Sequence, residues 1–503
     1  MTRASRTGAP GGEIGRLVRI TVATAVCLAA LAFAGGSSAA DIGANDDTGK
    51  FAVDSGAVFF GQMGALGLKQ SVMTLRFLPS DPTAIPDGDA LDRAIPVAEI
   101  SGLRVTLAVY PYPPRELEDG TATPAAFAAW LTIVAQRYPT VHQYIVMNEP
   151  NQPAFIRPQF GPTGKNVSAA RAGAFLAAGY DALKAVDPTI QVIGLGLSPR
   201  GNDNPTATSN VSTSPVRFLA ALGAWYRSTG RTLPLMDGLS FHPYPDQAID
   251  PIDRGYSWPK AGFANLDRIK QTMWDAFRQT GQPTTVNGLK LYLDEVGWQV
   301  DTSTLSGYTG TENVRVTDDA TQATVYSQLV HDADCDPQIA ELNIFGFYDD
   351  GPRDSGFQSA LNHVDGTPRP SAAAVQSAIA DATSGCPTGP NWWIPAKRVI
   401  GAVAPTWAID PGRQVIRFQA AADEGADVVA CLIPGARGGV ATAALMAQLT
   451  AKSRGCTGGK VMPKHPVSFT IRRALPLRPA TVAMRLVAET SAKRFNTFSR
   501  TLR

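Results

Sequence analysis

Histidine and cysteine are scarce, five of each in 503 residues. The histidines are scattered and no Cys-x-x-Cys pair occurs, so no metal site is expected, and no cofactor. Charged residues make up only 17% of the chain, and nothing resembles a nucleic-acid-binding motif. No Gly-rich phosphate-binding turn follows the first strand-like stretch, which argues against a doubly wound nucleotide-binding sheet. Beyond residue 40 no apolar run is long enough to span a bilayer.

The one pronounced apolar run is near the start. Arg3, Arg6, Arg16 and Arg19 precede Ile20 to Ala34, and Ser38-Ala-Ala40 supplies small residues for cleavage. This pattern predicts a secretory signal peptide over 1–40, cut near Ala40, and hence an exported protein; an uncleaved anchor is the alternative. Cys27 falls in that leader, leaving Cys335, Cys386, Cys431 and Cys456. An even number in an exported chain suggests two disulfides. Three pairings are possible, and Cys335–Cys386 with Cys431–Cys456 is the expected one, the first at the end of the barrel region and the second within the tail.

The whole chain carries a formal charge of +2. Residues 391–503 hold 17 Lys and Arg against five acidic residues, and residues 41–390 carry a net charge of −13. A basic tail on an acidic body suggests contact with an anionic surface such as a cell wall; ordinary surface variation is the competing explanation.

Between residues 41 and 385 strand-like and helix-like stretches alternate. Strands are predicted at Ile42-Gly43, Val72 to Leu78, Val105 to Tyr110, Tyr144 to Met147, Val192 to Leu197, Leu239 to Phe241, Leu289 to Glu295 and Ala340 to Tyr348. Helical patterns follow each; Thr123-Pro124, for example, is a cap and first-turn pair opening a helix to Arg137. Eight such units predict an α/β fold, a (β/α)8 TIM barrel. A Gly-, Pro- and Thr-rich stretch from Thr383 to Pro395 marks a boundary, and residues 386–503 read as a smaller β-rich domain, a β-sandwich. Residues 439–451 are Ala-rich and fit a helix or a loop.

Two of these strands end on glutamate. Tyr144-Ile-Val-Met147 runs into Asn148-Glu149-Pro150, where proline stops the ladder, and Leu291-Tyr-Leu-Asp-Glu295 ends a later strand. The C-terminal tips of barrel strands are where this fold places catalysis, and a pair of carboxylates is what cleavage of a glycosidic bond requires. Asn-Glu-Pro closing the fourth strand, with Asp294-Glu295-Val-Gly-Trp298 closing the seventh, resembles the retaining glycoside hydrolases of clan A, such as families 5 and 39. The resemblance covers residues 41–380.

It implies that Glu149 is the general acid/base, Glu295 the nucleophile, and Asn148 the partner of a sugar 2-hydroxyl. It further implies that Arg76 supports the nucleophile, that Tyr244 donates to Glu295, and that His242 lines the sugar pocket. Trp298 and Tyr348 are candidate stacking platforms, and the aromatic that family members often carry on strand eight, a tryptophan, is absent from Phe345-Gly-Phe-Tyr348. The implied activity is hydrolysis of a β-linked glycan or glycoside, with a carbohydrate as the partner molecule. A catalytically dead carbohydrate-binding protein and a transglycosylase on the same scaffold are the alternatives.

Overall fold

The computed structural model describes residues 39–312, 314–382, 384–386, 393–397, 406–410, 415–435, 437–463, 465–472 and 480–502. The expected leader lies outside them apart from Ala39 and Ala40. Among the described residues no helix is long and apolar enough to cross a membrane.

Eight parallel strands close into a barrel in chain order: β1 (Asp41–Asn45), β2 (Gln70–Phe77), β3 (Arg104–Pro111), β4 (Gln143–Val146), β5 (Gln191–Leu197), β6 (Gly238–Phe241), β7 (Lys290–Val296) and β8 (Ile339–Phe345). It is a TIM barrel. The strands read as continuous apolar runs because both of their faces are buried. One face, with Val72, Ala108, Ile145, Ile193 and Tyr292, fills the barrel interior. The alternate residues, among them Met73, Leu107, Val146 and Leu293, pack outward on the helices. Thr123 caps its helix as the sequence predicts, its side chain accepting from the Ala126 N–H at 3.2 Å.

The N-terminal end of the barrel is plugged by polar groups. Arg104 donates to Asp41 at 2.7 Å and to Gln70 and Glu341 at 2.9 Å, and Gln143 donates to Glu341 at 2.8 Å. Glu341 is 3% exposed, so removing its cation strands a buried carboxylate. Because Arg104 is 39% exposed and Gln143 still donates to Glu341, Arg104→Ala is expected to lower the unfolding free energy by about 1–3 kcal/mol. Adding Glu341→Leu should recover much of that loss; urea unfolding of the single and double variants measures both.

Beyond the barrel, β9 (Thr406–Asp410), β10 (Val415–Ala420) and β13 (Val467–Arg472) form one antiparallel sheet in the order β13-β10-β9. β12 (Cys456–Val461), β11 (Ala426–Pro434), β14 (Ala480–Ala488) and β15 (Ser491–Leu502) form a second, in that order. Ile416 and Phe418 of the first sheet share a core with Leu432, Met484 and Leu486 of the second, as in a sandwich. The Ala-rich stretch left open above is helical over Gly439–Met446.

Disulfides join Cys335 to Cys386 and Cys431 to Cys456. The sandwich docks on the barrel through charge. Arg494 is 1% exposed and meets Asp275 at 3.1 Å and also Glu424, while Arg217 meets Glu489 at 3.3 Å. Burial pushes Glu424 up to about 7 against the pull of Arg494.

Candidate active site

At the C-terminal end of the strands lies a cleft of about 690 Å³, lined by Asn45, Thr74, Tyr110, Asn148, Glu149 and Glu295, among others. Each glutamate reaches it through a local departure from regular strand geometry. β4 stops at Val146, one residue earlier than the sequence suggests, because Met147 has φ +77° and Glu149 φ +36°. Such left-handed backbone is uncommon outside glycine and is concentrated at functional sites. It is held by neighbours: the Glu149 N–H donates to the Gly196 carbonyl at 2.9 Å. Asn151 ties the next turn to the loop after β5, donating to Ser198 O at 3.0 Å and Thr213 O at 2.9 Å.

On β7 the device is a bulge. Leu293 pairs with Leu342 and Val296 with Ile344, so three steps on β7 face two on β8. Strict alternation from Leu293 would turn Glu295 toward the helices. The extra residue brings both Asp294 and Glu295 to the barrel side.

The two glutamates meet at one imidazole. His242 Nδ1 lies 3.2 Å from Glu149 Oε1 and 3.3 Å from Glu295 Oε2. Those oxygens are therefore no farther apart than the two contacts together, 6.5 Å. On the other side of the ring, His242 Nε2 lies 3.3 Å from Asp294 Oδ2. The Tyr244 hydroxyl donates to Glu295 Oε2 at 3.1 Å. Gly196, at φ +52°, makes room for the ring, since a Cβ there would lie 2.8 Å from His242 Nε2.

Burial drives the electrostatics of Glu295, pushing its carboxyl up to about 8. His242 pulls the other way, the charges of Asp294 and Glu149 raise it further, and the bond from Tyr244 lowers it. For His242, burial favours the neutral ring, but Glu295 and Asp294 outweigh it, and the imidazole is held protonated well above its usual range.

Other predicted residues lie elsewhere. His242 does not line the cleft: it is fully buried, behind the wall that carries the glutamates. Arg76 is exposed at the mouth, where its Nε donates to the Tyr110 hydroxyl at 3.4 Å and its guanidinium covers the Tyr112 ring. Among the described residues it makes no ion pair with Glu295.

Trp298 is 2% exposed and is a core residue, its indole N–H donating to Asp250 O at 2.9 Å, so it offers no face to a ligand in the cleft. Tyr348 is not on strand eight. β8 ends at Phe345, Gly346 turns at φ +87°, and the Phe347 and Tyr348 N–H groups bind the Asp46 carboxylate at 2.8 and 2.9 Å. Tyr348 instead lines an adjoining depression that shares Asn45, Thr74, Phe345 and Phe357 with the cleft. Asn45 and Thr74 escaped the sequence reading because neither belongs to a distinctive motif. Asp294 stands beside Glu295 in the sequence, but no motif distinguishes it as a partner of His242.

Among the described residues one group has metal-like ligand spacing, His331 with Cys335 and Cys386, and its two sulfurs are joined in a disulfide.

No family model and no curated protein matches the chain. Its structural neighbours are glycoside hydrolases. One is a family 39 glycoside hydrolase from Bacteroides cellulosilyticus WH2, at 14% identity and a TM-score of 0.46, covering 87% of this chain and 81% of that one. A second is a GH5_18 protein from Streptomyces cattleya in complex with GlcNAc, at 14% identity and a TM-score of 0.45, covering 72% and 83%. A third is a GH5-4 broad-specificity endoglucanase from Clostrdium longisporum, at 10% identity and a TM-score of 0.43, covering 65% and 86%. The barrel assignment rests on this chain's own strand pairing, and the functional reading below on its own side chains.

Proposed function

We propose that this chain is a secreted, retaining glycoside hydrolase acting on a β-linked glycan or glycoside. Residues 41–385 would form the catalytic domain and residues 386–503 a second domain. The observation that carries the reading is the approach of Glu149 and Glu295 to one imidazole nitrogen, which bounds the separation of the facing oxygens at 6.5 Å. Double displacement needs carboxyl groups roughly 5–5.5 Å apart, whereas single displacement needs about 6.5–9.5 Å to admit a water. The bound favours the first.

In this reading Glu295 attacks the anomeric carbon and Glu149 protonates the leaving oxygen; water then hydrolyses the ester with Glu149 as base. Asn148 lines the cleft beside Glu149 and would meet a sugar hydroxyl. The two disulfides fit an oxidising compartment, in keeping with export. The basic excess after residue 390 supports contact with an anionic wall only in part, since Arg494 is spent inside the junction with the barrel.

The test is hydrolysis of a panel of aryl β-glycosides and β-linked polysaccharides, followed by release of reducing ends and by the anomer first formed. Release with retained configuration is expected. Binding without release would point to a carbohydrate-binding protein, and an inverted first product would refute double displacement. On a hydrolysed substrate, Tyr244→Phe should lower kcat/KM by about 10- to 100-fold, because it removes a hydrogen bond to a charged group worth about 1.5–3 kcal/mol. Steady-state kinetics measures this.

A further inference from the structure

We propose that Asp294 is a positioning residue that keeps His242 doubly protonated, so that the single Nδ1–H of His242 can pass its hydrogen bond from Glu295 to Glu149 as negative charge moves between them. The proposal rests on the glycosidase reading for its role in turnover, but its physical core concerns the ring itself.

Strict alternation from Leu293 already turns Asp294 inward, and the β7 bulge brings Glu295 to the same side. It is 1% exposed and does not line the cleft, so it is not a substrate contact. Ser240 Oγ donates to its Oδ1, and the Asn45 side chain donates to its main-chain oxygen at 3.2 Å. Its Oδ2 is left facing His242 Nε2 at 3.3 Å.

Among the described residues, the charged and titratable groups that face the ring come from three strand ends. Glu149 comes from the turn after β4, Asp294 and Glu295 from β7, and Tyr244 from the turn after β6, with its ring at 6.5 Å and nearly perpendicular. β5 brings no charged side chain: Gly196 faces the ring, and the Leu197 carbonyl accepts from the His242 main-chain N–H at 2.9 Å. Among the described residues no Lys or Arg pairs with any of the three carboxylates. A neutral ring that donates from Nε2 to Asp294 has only an acceptor at Nδ1, which can meet a protonated glutamate but not an ionised one. Only the imidazolium donates on both sides. The upward shift of His242, driven by Glu295 and Asp294 against burial, agrees with this.

Charge moves across the ring during turnover. When the Glu295 carboxylate attacks the anomeric carbon, a new C–O ester bond forms and the glycosidic C–O bond breaks. Glu149 gives its proton to the departing oxygen, and the negative charge passes from Glu295 to Glu149. The Nδ1–H lies within 3.2 Å of one and 3.3 Å of the other, so it can follow the charge without moving the ring. Water reverses the transfer: its oxygen attacks the same carbon, its proton goes to Glu149, and the ester bond breaks to restore the Glu295 carboxylate. Nothing beyond substrate and water is needed. Without Asp294, the ring would surrender its proton in whichever state leaves it poorest in negative charge.

The test is 15N NMR of the full chain with labelled histidine, with the His242 signal among the five histidines identified by its loss in His242→Gln. In the wild type this ring should stay doubly protonated from about pH 5 to about pH 8, well past an ordinary histidine. In Asp294→Asn, a near-isosteric change, its titration midpoint should fall by about one pH unit or more, and the pH profile of kcat/KM should shift with it. A merely structural role would lower activity evenly across pH and leave the midpoint in place, which overturns the proposal.

A second measurement needs no variant. In wild-type protein trapped with a 2-deoxy-2-fluoro sugar the ring should remain an imidazolium; a neutral ring there also overturns the proposal. The two readings fail separately. If the ring titrates as described but no substrate is hydrolysed and no sugar is trapped, the glycosidase reading falls while the Asp294–His242 pairing stands.

Discussion

Glu295→Gln is expected to abolish turnover, lowering kcat by about 10⁴-fold or more, because the covalent route has no other nucleophile at that carbon. The same variant should keep the fold, because glutamine is nearly isosteric with glutamate, and thermal unfolding measures this. A variant that keeps near-wild-type rates would remove Glu295 from the nucleophile's role.

Glu149→Ala should separate substrates by their leaving groups. A general acid contributes about 10²–10⁴-fold, and only where the departing oxygen needs a proton. Glycosides with poor leaving groups should lose activity over that whole range. Those with strongly acidic phenols should keep most of their first-step rate, and added azide should restore turnover by taking the place of the water that Glu149 would have activated. Initial rates across a leaving-group series measure this. Equal loss across the series would mean that Glu149 holds the site together rather than moving a proton.

Much of the fold was legible because its signals are local. Apolar runs ended by proline or glycine, alternating with Ala-rich helical stretches, report strands buried on both faces and the helices covering them. The positions of Glu149 and Glu295 near strand tips came from the same signal. Their aim did not. Glu149 reaches the cleft through left-handed backbone at Met147 and Glu149, and Glu295 through a bulge on β7. Period-2 alternation carries no trace of either, because both are fixed by pairing with the neighbouring strand.

The aromatic residues misled for a related reason. Trp298 lies three residues beyond Glu295, yet its indole turns into the core to bind Asp250. The apolar pattern carries strand eight through Tyr348, but Gly346 and the carboxylate of Asp46 bend the chain away two residues earlier. The resemblance makes His242 a lining of the sugar pocket, whereas it is fully buried, 3.2 Å from Glu149 and 3.3 Å from Glu295. Proximity in sequence to a strand tip places a side chain near the mouth of a barrel; packing and hydrogen bonding decide which way it faces.

The most direct measurement is covalent trapping. The protein would be incubated with a panel of 2-deoxy-2-fluoro glycosyl fluorides and examined by intact-protein and then peptide mass spectrometry. The fluorine slows both steps, the fluoride leaving group spares the first, and a glycosyl ester accumulates. A single added sugar on the peptide that carries Glu295 is the predicted result, and it would name the sugar as well as the nucleophile. A label on a peptide without Glu295, or turnover of the panel with inverted product and no ester, would contradict the account.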